Sequence, residues 1–164
     1  LFVQLHPFRK IHQLCIMQPL NFPSYTFRVK NSENRPLIFD EIRKKFIVLT
    51  PEEWVRQHVV KFLIQEKNYP ISHINVEKQI TLNGLKKRYD IVVFKPDGKL
   101  DILVECKAPE ITISQNTFDQ IAQYNFKLNA NYLMVTNGLA HYYCQMDFVA
   151  EKYQFMQEIP DFSR

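Results

Sequence analysis

Glycine is scarce in this chain: three in 164 residues, at positions 84, 98 and 138. A phosphate-cradling G-x-x-x-x-G-K-[ST] loop needs closely spaced glycines, so no ATP site is expected and any ATP-linked activity has to come from a partner. Cysteine is equally scarce. Cys15, Cys106 and Cys144 are odd in number and lack C-x-x-C spacing, which argues against a disulfide frame or a zinc site. They read as reduced thiols of a cytoplasmic protein. There is no apolar run of about eighteen residues or more to span a membrane. The N-terminus, with His6, Arg9, Lys10 and His12 among its apolar residues, has no clean signal-peptide centre. A charged tail is also missing: the net charge of +4 is a small basic excess, weak support for an anionic partner.

What remains is an ordinary soluble composition and enough chain for one domain with a real core. Met17 is a plausible native start, so residues 1–16 are expected to be an upstream extension or non-native. Residues 17–49 read as N-terminal strands and loops, with strand-like alternation at Tyr25–Lys30, Leu37–Asp40 and Lys45–Leu49. The domain proper is expected over 50–164. Thr50-Pro51-Glu52-Glu53 is a helix start, with Thr as N-cap, Pro at the first position and Glu53 placed to close a capping box. The helix carries Val55, His58, Val59, Phe62 and Leu63 on one face and fades near Lys67-Asn68-Tyr69-Pro70. Strands are expected at Ile74–Thr81, Lys86–Lys95 and Leu100–Lys107. Asn83-Gly84 and Asp97-Gly98 separate them, and both are hairpin turns. A second helix from Ser114 or Asn116 to Leu128, a buried strand Tyr132–Thr136 and its hairpin partner Ala140–Met146 follow. The stretch Phe148–Ile159 is ambiguous between helix and strand. The order gives an α/β fold: a central mixed sheet with a three-stranded antiparallel meander, flanked by helices.

The meander carries the chemistry. Arg88-Tyr89-Asp90-Ile91-Val92-Val93-Phe94 and Asp101-Ile102-Leu103-Val104-Glu105-Cys106-Lys107 are apolar runs of the kind covered on both faces. Ionised groups there cost several kcal/mol unless compensated. Strict alternation puts Asp90 with Val92 and Phe94, and Glu105 with Leu103 and Lys107. A hairpin then lets the two carboxylates approach. A hard cation such as Mg²⁺ relieves their repulsion and takes the Cys106 carbonyl as a further ligand. Lys107 beside it can orient a water and offset charge on phosphorus.

Asp90 followed by Glu105-Cys106-Lys107 resembles the Asp…Glu-x-Lys signature of the PD-(D/E)XK nuclease superfamily. Gln120-Ile-Ala-Gln-Tyr124 on the next helix resembles the Gln-x-x-x-Tyr motif of its RecB-like and type I restriction members. From about Thr50 to Asp147, roughly three-fifths of the chain, the pattern looks most like the N-terminal nuclease domain of type I restriction enzyme R subunits. The resemblance implies a restriction-endonuclease-like core and a Mg²⁺-dependent endodeoxyribonuclease in which Mn²⁺ can substitute. Asp90 and Glu105 would be metal ligands, Lys107 the catalytic lysine, and Gln120 and Tyr124 would position the DNA backbone. It also implies restriction-modification subunits or a separate translocase as partners. The superfamily's proline is missing: Tyr89 precedes Asp90.

Bland readings stand beside these. Any Glu-x-Lys can be a surface pair, and Gln120 with Tyr124 can be an amphipathic boundary. Glu53 serves either as a cap or as a further metal ligand, with Gln57 one turn on. Lys86-Lys87-Arg88 either grips phosphates or solvates a hairpin tip. Trp54 and the Phe and Tyr residues read as core, and His58, His73 and His141 as structural. A DNA-binding module without turnover of its own, and a nuclease for RNA or DNA junctions, remain the alternative functions.

Overall fold

A computed structural model describes residues 17–82 and 85–163. The expected extension 1–16, with Cys15, and the expected Asn83-Gly84 turn lie outside the described residues. The chain opens with a small antiparallel sheet of β1 (Val29–Ser32), β2 (Arg35–Asp40) and β3 (Lys45–Val48) in sequence order. The first strand starts later than the alternation at Tyr25 suggests. The rings of Tyr25 and Phe27 are instead packed on His58, and Phe27 also on Trp54, at centroid distances of 4.7–5.8 Å.

Helix α1 (Pro51–Gln65) starts as its sequence dictates: Thr50 Oγ1 accepts the Glu53 N–H at 3.1 Å, and Pro51 sits at the first helical position. The six-stranded sheet follows. It is built of β4 (Ile74–Leu82), β5 (Leu85–Phe94), β6 (Leu100–Cys106), β7 (Tyr132–Thr136), β8 (His141–Asp147) and β9 (Lys152–Met156), in that order across the sheet. Strands β4, β5 and β6 form the antiparallel meander. The β6–β7 pair is parallel, which requires a crossover, and α2 (Gln115–Leu128) supplies it. Ser114 caps α2 by accepting the Thr117 N–H at 3.2 Å, and Asn129 ends it in the left-handed conformation. The ambiguous tail contributes β9, an edge strand paired to β8.

Each face of the sheet carries a helix. Val55, Val59, Val60 and Leu63 of α1 pack on Ile91, Val93, Ile102, Val104 and Cys106. Phe118, Ile121 and Ala122 of α2 pack on Val92, Leu103, Leu133 and Val135 on the other side. The two sides explain why both central strands read as nearly continuous apolar runs. Cys106 and Cys144 are buried and unlinked. Among the described residues no helix is long and apolar enough to cross a membrane.

The β7–β8 turn depends on Gly138, which sits at φ +82° where a Cβ would lie 2.8 Å from Leu20 Cδ2 and 3.1 Å from Val55 Cγ2. Gly138→Ala is expected to lower unfolding free energy by about 1 kcal/mol or more, through backbone strain and this crowding. Urea denaturation checks it; a variant as stable as the wild type would contradict the packing described.

Candidate active site

The β4–β5 ladder contains one broken rung. Val76 pairs Ile91 and Lys78 pairs Tyr89, but Glu77, at φ 50°, and Asp90 between them form no ladder pair. Facing changes there in both strands. Val76 and Ile91 pack toward α1, whereas Ile80 and Tyr89 belong to the α2 cluster. Asp90 therefore does not share a face with Val92 and Phe94 as strict alternation predicts. Those two pack toward α2, while Asp90 Oδ1 lies 3.3 Å from Arg56 Nη2 of α1.

Its other oxygen reaches the neighbouring strand. The β5–β6 ladder ends at Ile91–Val104, and just beyond it Asp90 Oδ2 accepts the Cys106 N–H at 2.7 Å. A carboxylate that takes a backbone N–H from the next strand must sit between the strands, where the ladder opens. This draws Asp90 to the peptide that separates Glu105 from Lys107.

Glu105 follows Leu103 on the α2 side by alternation. Its Oε1 stands 3.5 Å from Lys107 Nζ, and the backbone of Lys107 is pinned by its N–H to the Thr136 carbonyl at 2.8 Å. The two side chains are 15% and 30% exposed, so Lys107 is open to a ligand while Glu105 is largely desolvated. Tyr89 lies beside them: burial first, then the charges of Glu105 and Tyr124, push its phenol up to about 12. That brings Tyr124 of α2 into the same neighbourhood as Glu105. Gln120, one turn earlier, is exposed on α2. Burial raises the Cys106 thiol well above its ordinary value, with Asp90 next and Glu105 adding to the same effect. It is a packed thiol, not a nucleophile.

The residue that sequence reading passed over is Arg56. Its guanidinium is buried and meets Glu77 at 2.8 Å, Glu53 at 2.9 Å, Asp90 at 3.3 Å and Glu52 at 3.5 Å. Burial opposes its charge, but Glu53, Asp90 and Glu77 outweigh that and hold its pKa above the ordinary arginine value. Arg43 lies alongside, bonded to Asp40 at 2.6 Å and reaching Glu53 at 3.3 Å. Glu53 is thus occupied by Arg56, Arg43 and Gln57 Nε2, the last at 2.9 Å, and does not turn back to the Thr50 amide as a capping box would. Burial raises its pKa, and Gln57, Arg56 and Arg43 restrain the rise. Among the described residues no three acidic, histidine or cysteine side chains converge in a way suited to a metal ion. A site here would rest on two carboxylates and a carbonyl.

Comparison with known proteins agrees with this arrangement. Residues 51–160 match the family described as the type I restriction enzyme R protein N terminus. A solved fragment described as an HsdR subunit of a type I restriction enzyme from Vibrio vulnificus YJ016 is 20% identical with a TM-score of 0.47; the match covers 69% of this chain and 24% of that one. This chain therefore corresponds to about a quarter of that protein. A DUF820 protein from Anabaena variabilis ATCC 29413, described as a nuclease, is 12% identical with a TM-score of 0.43 over 79% of this chain and 80% of its own. No curated protein matches. With about two-thirds of its length inside the matched region, this chain belongs to the type I restriction enzyme R protein N-terminus family.

Proposed function

We propose that the chain is a divalent-metal-dependent endonuclease domain that hydrolyses DNA phosphodiester bonds. The observation that supports this most is the 2.7 Å hydrogen bond from the Cys106 N–H to Asp90, which links the upstream acid to the Glu105-Cys106-Lys107 segment. The donor types suit a hard cation: Asp90, Glu105 and the Cys106 carbonyl would hold Mg²⁺, with Mn²⁺ as a substitute. Carboxylates also outnumber guanidinium groups around Arg56, a local excess that favours a further positive ion. Once bound, the ion would polarise the phosphate and supply a water of lowered pKa. Lys107 is exposed enough to donate to a phosphate oxygen and to orient the attacking water. Exposed Gln120 and Tyr124 on α2 would bind the flanking backbone through amide and phenol donors. Glu53 is left out of the metal set because its oxygens are already held.

Partners would be restriction-modification subunits or a separate translocase, since the chain itself carries no P-loop. Supercoiled plasmid incubated with Mg²⁺ or Mn²⁺ is expected to be nicked and linearised, with no products in EDTA. Absence of metal-dependent cutting would count against turnover by this chain. A second reading, a DNA-binding module inactive by itself, is favoured by one contact: Arg56 neutralises Asp90 at 3.3 Å. It predicts salt-sensitive DNA binding without nicking, persisting after Asp90→Ala. Competition by RNA and by branched DNA distinguishes the remaining substrate classes.

A further inference from the structure

Beyond the rung where β6 leaves the ladder, β4 and β5 continue together. Their pairing runs through Lys78–Tyr89, Gln79–Arg88 and Thr81–Lys86 to Leu82–Leu85, while the β5–β6 ladder has already ended at Ile91–Val104. Residues 77–82 and 85–90 thus form a two-stranded ribbon, about 20 Å long at about 3.3 Å per residue. One face of it packs inward at its base through Ile80 and Tyr89 in the α2 cluster. The other face is polar throughout. Glu77 and Asp90 stand at its base, Gln79 and Arg88 form the next pair outward, and Thr81 and Lys86 the one beyond. Gln79, Thr81, Lys86 and Arg88 are all exposed. Arg88 Nη1 is 3.6 Å from Glu77 Oε2, with its side chain 67% exposed, so this contact barely restrains it.

We propose that this face of the ribbon is a duplex-DNA-binding arm, lying in the major groove beside the phosphate that meets Asp90. The inference rests on the nuclease reading and extends it to the form of substrate. A two-stranded ribbon fits the major groove of B-form DNA, about 12 Å wide, and Gln, Thr and Arg are residue types that reach base edges there. Lys86 and Arg88 supply positive charge for the flanking phosphates. The row of pairs ends on Asp90, so a duplex held along the ribbon has its backbone led to the carboxylate. The deep, narrow major groove of an RNA duplex cannot admit such a ribbon. The arm therefore selects DNA duplex over RNA duplex.

The test measures binding of a labelled DNA duplex by fluorescence anisotropy across a salt series, in EDTA so that nothing is cut. The double variant Lys86→Ala/Arg88→Ala is expected to bind at least about tenfold more weakly at moderate salt. Its log K against log [salt] slope should be shallower by about 1.8, for two phosphate contacts. Its Mn²⁺ binding and thermal midpoint should match the wild type. An RNA duplex of the same length should compete poorly against wild-type protein. If the double variant keeps wild-type affinity and slope, or RNA competes equally, the arm is wrong while the nuclease reading stands. If wild-type protein binds no duplex and cuts none, both fall together.

Discussion

Lys107→Ala is expected to reduce metal-dependent plasmid nicking by about a hundred- to a thousandfold, the scale for losing one preorganised donor at a developing charge. DNA affinity should change by only a few-fold, because one cation among several phosphate contacts carries little of the binding. The side chain is 30% exposed and meets Glu105 at the outer limit of a hydrogen bond, 3.5 Å, so its removal leaves no buried group stranded. Folding stability should therefore be nearly unchanged, and a lost rate cannot be attributed to unfolding. Single-turnover nicking and anisotropy on the same preparation separate the two effects. Cleavage at the wild-type rate would remove Lys107 from the chemistry, and equal loss of binding and rate would make it a DNA contact only.

The elements were legible because each carries a local signal. Thr50-Pro51 starts α1, Ser114 starts α2, and the turns at Gly98 and Gly138 bound strands of β-branched residues. The tail was not legible, because Lys152–Met156 is a short edge strand whose pairing comes wholly from β8. The Asp90, Glu105 and Lys107 motif could be read from spacing. The direction of Asp90 could not, since it follows from a rung broken jointly by Glu77 and Asp90, and no alternation rule anticipates Glu77 at φ 50°. Arg56 escaped for a related reason. With Glu52 and Glu53 one turn before it, it resembles a solvated helix face with ordinary i,i+3 and i,i+4 pairs. Only the approach of β4 and β5 closes Glu77 and Asp90 over it.

Arg56→Met is expected to have the largest effect on stability, about 3–5 kcal/mol at pH 7, the range for stripping a buried charge network of one partner. The guanidinium is 4% exposed and serves Glu53, Glu77 and Asp90 together. Methionine fills much of the volume but leaves those carboxylates facing one another with Arg43 alone to compensate. The loss should depend on pH in a definite direction. Burial already holds the Glu53 pKa above its ordinary value of 4.5, and Arg56 is one of the groups restraining that rise. A raised native pKa means that the folded state takes up the proton first. The resulting stabilisation is complete below the ordinary value and disappears as pH climbs through the native one. Removing Arg56 raises that native pKa further, so the deficit of the variant should shrink as pH falls from 7 toward 4.5. Urea denaturation of metal-free protein across that window measures it. A pH-independent deficit, or one below about 1 kcal/mol as for exposed pairs, would mean that Arg56 is not the counter-ion of this pocket. Adding Mn²⁺ should narrow the same deficit, because an ion beside Asp90 supplies the positive charge that methionine lacks.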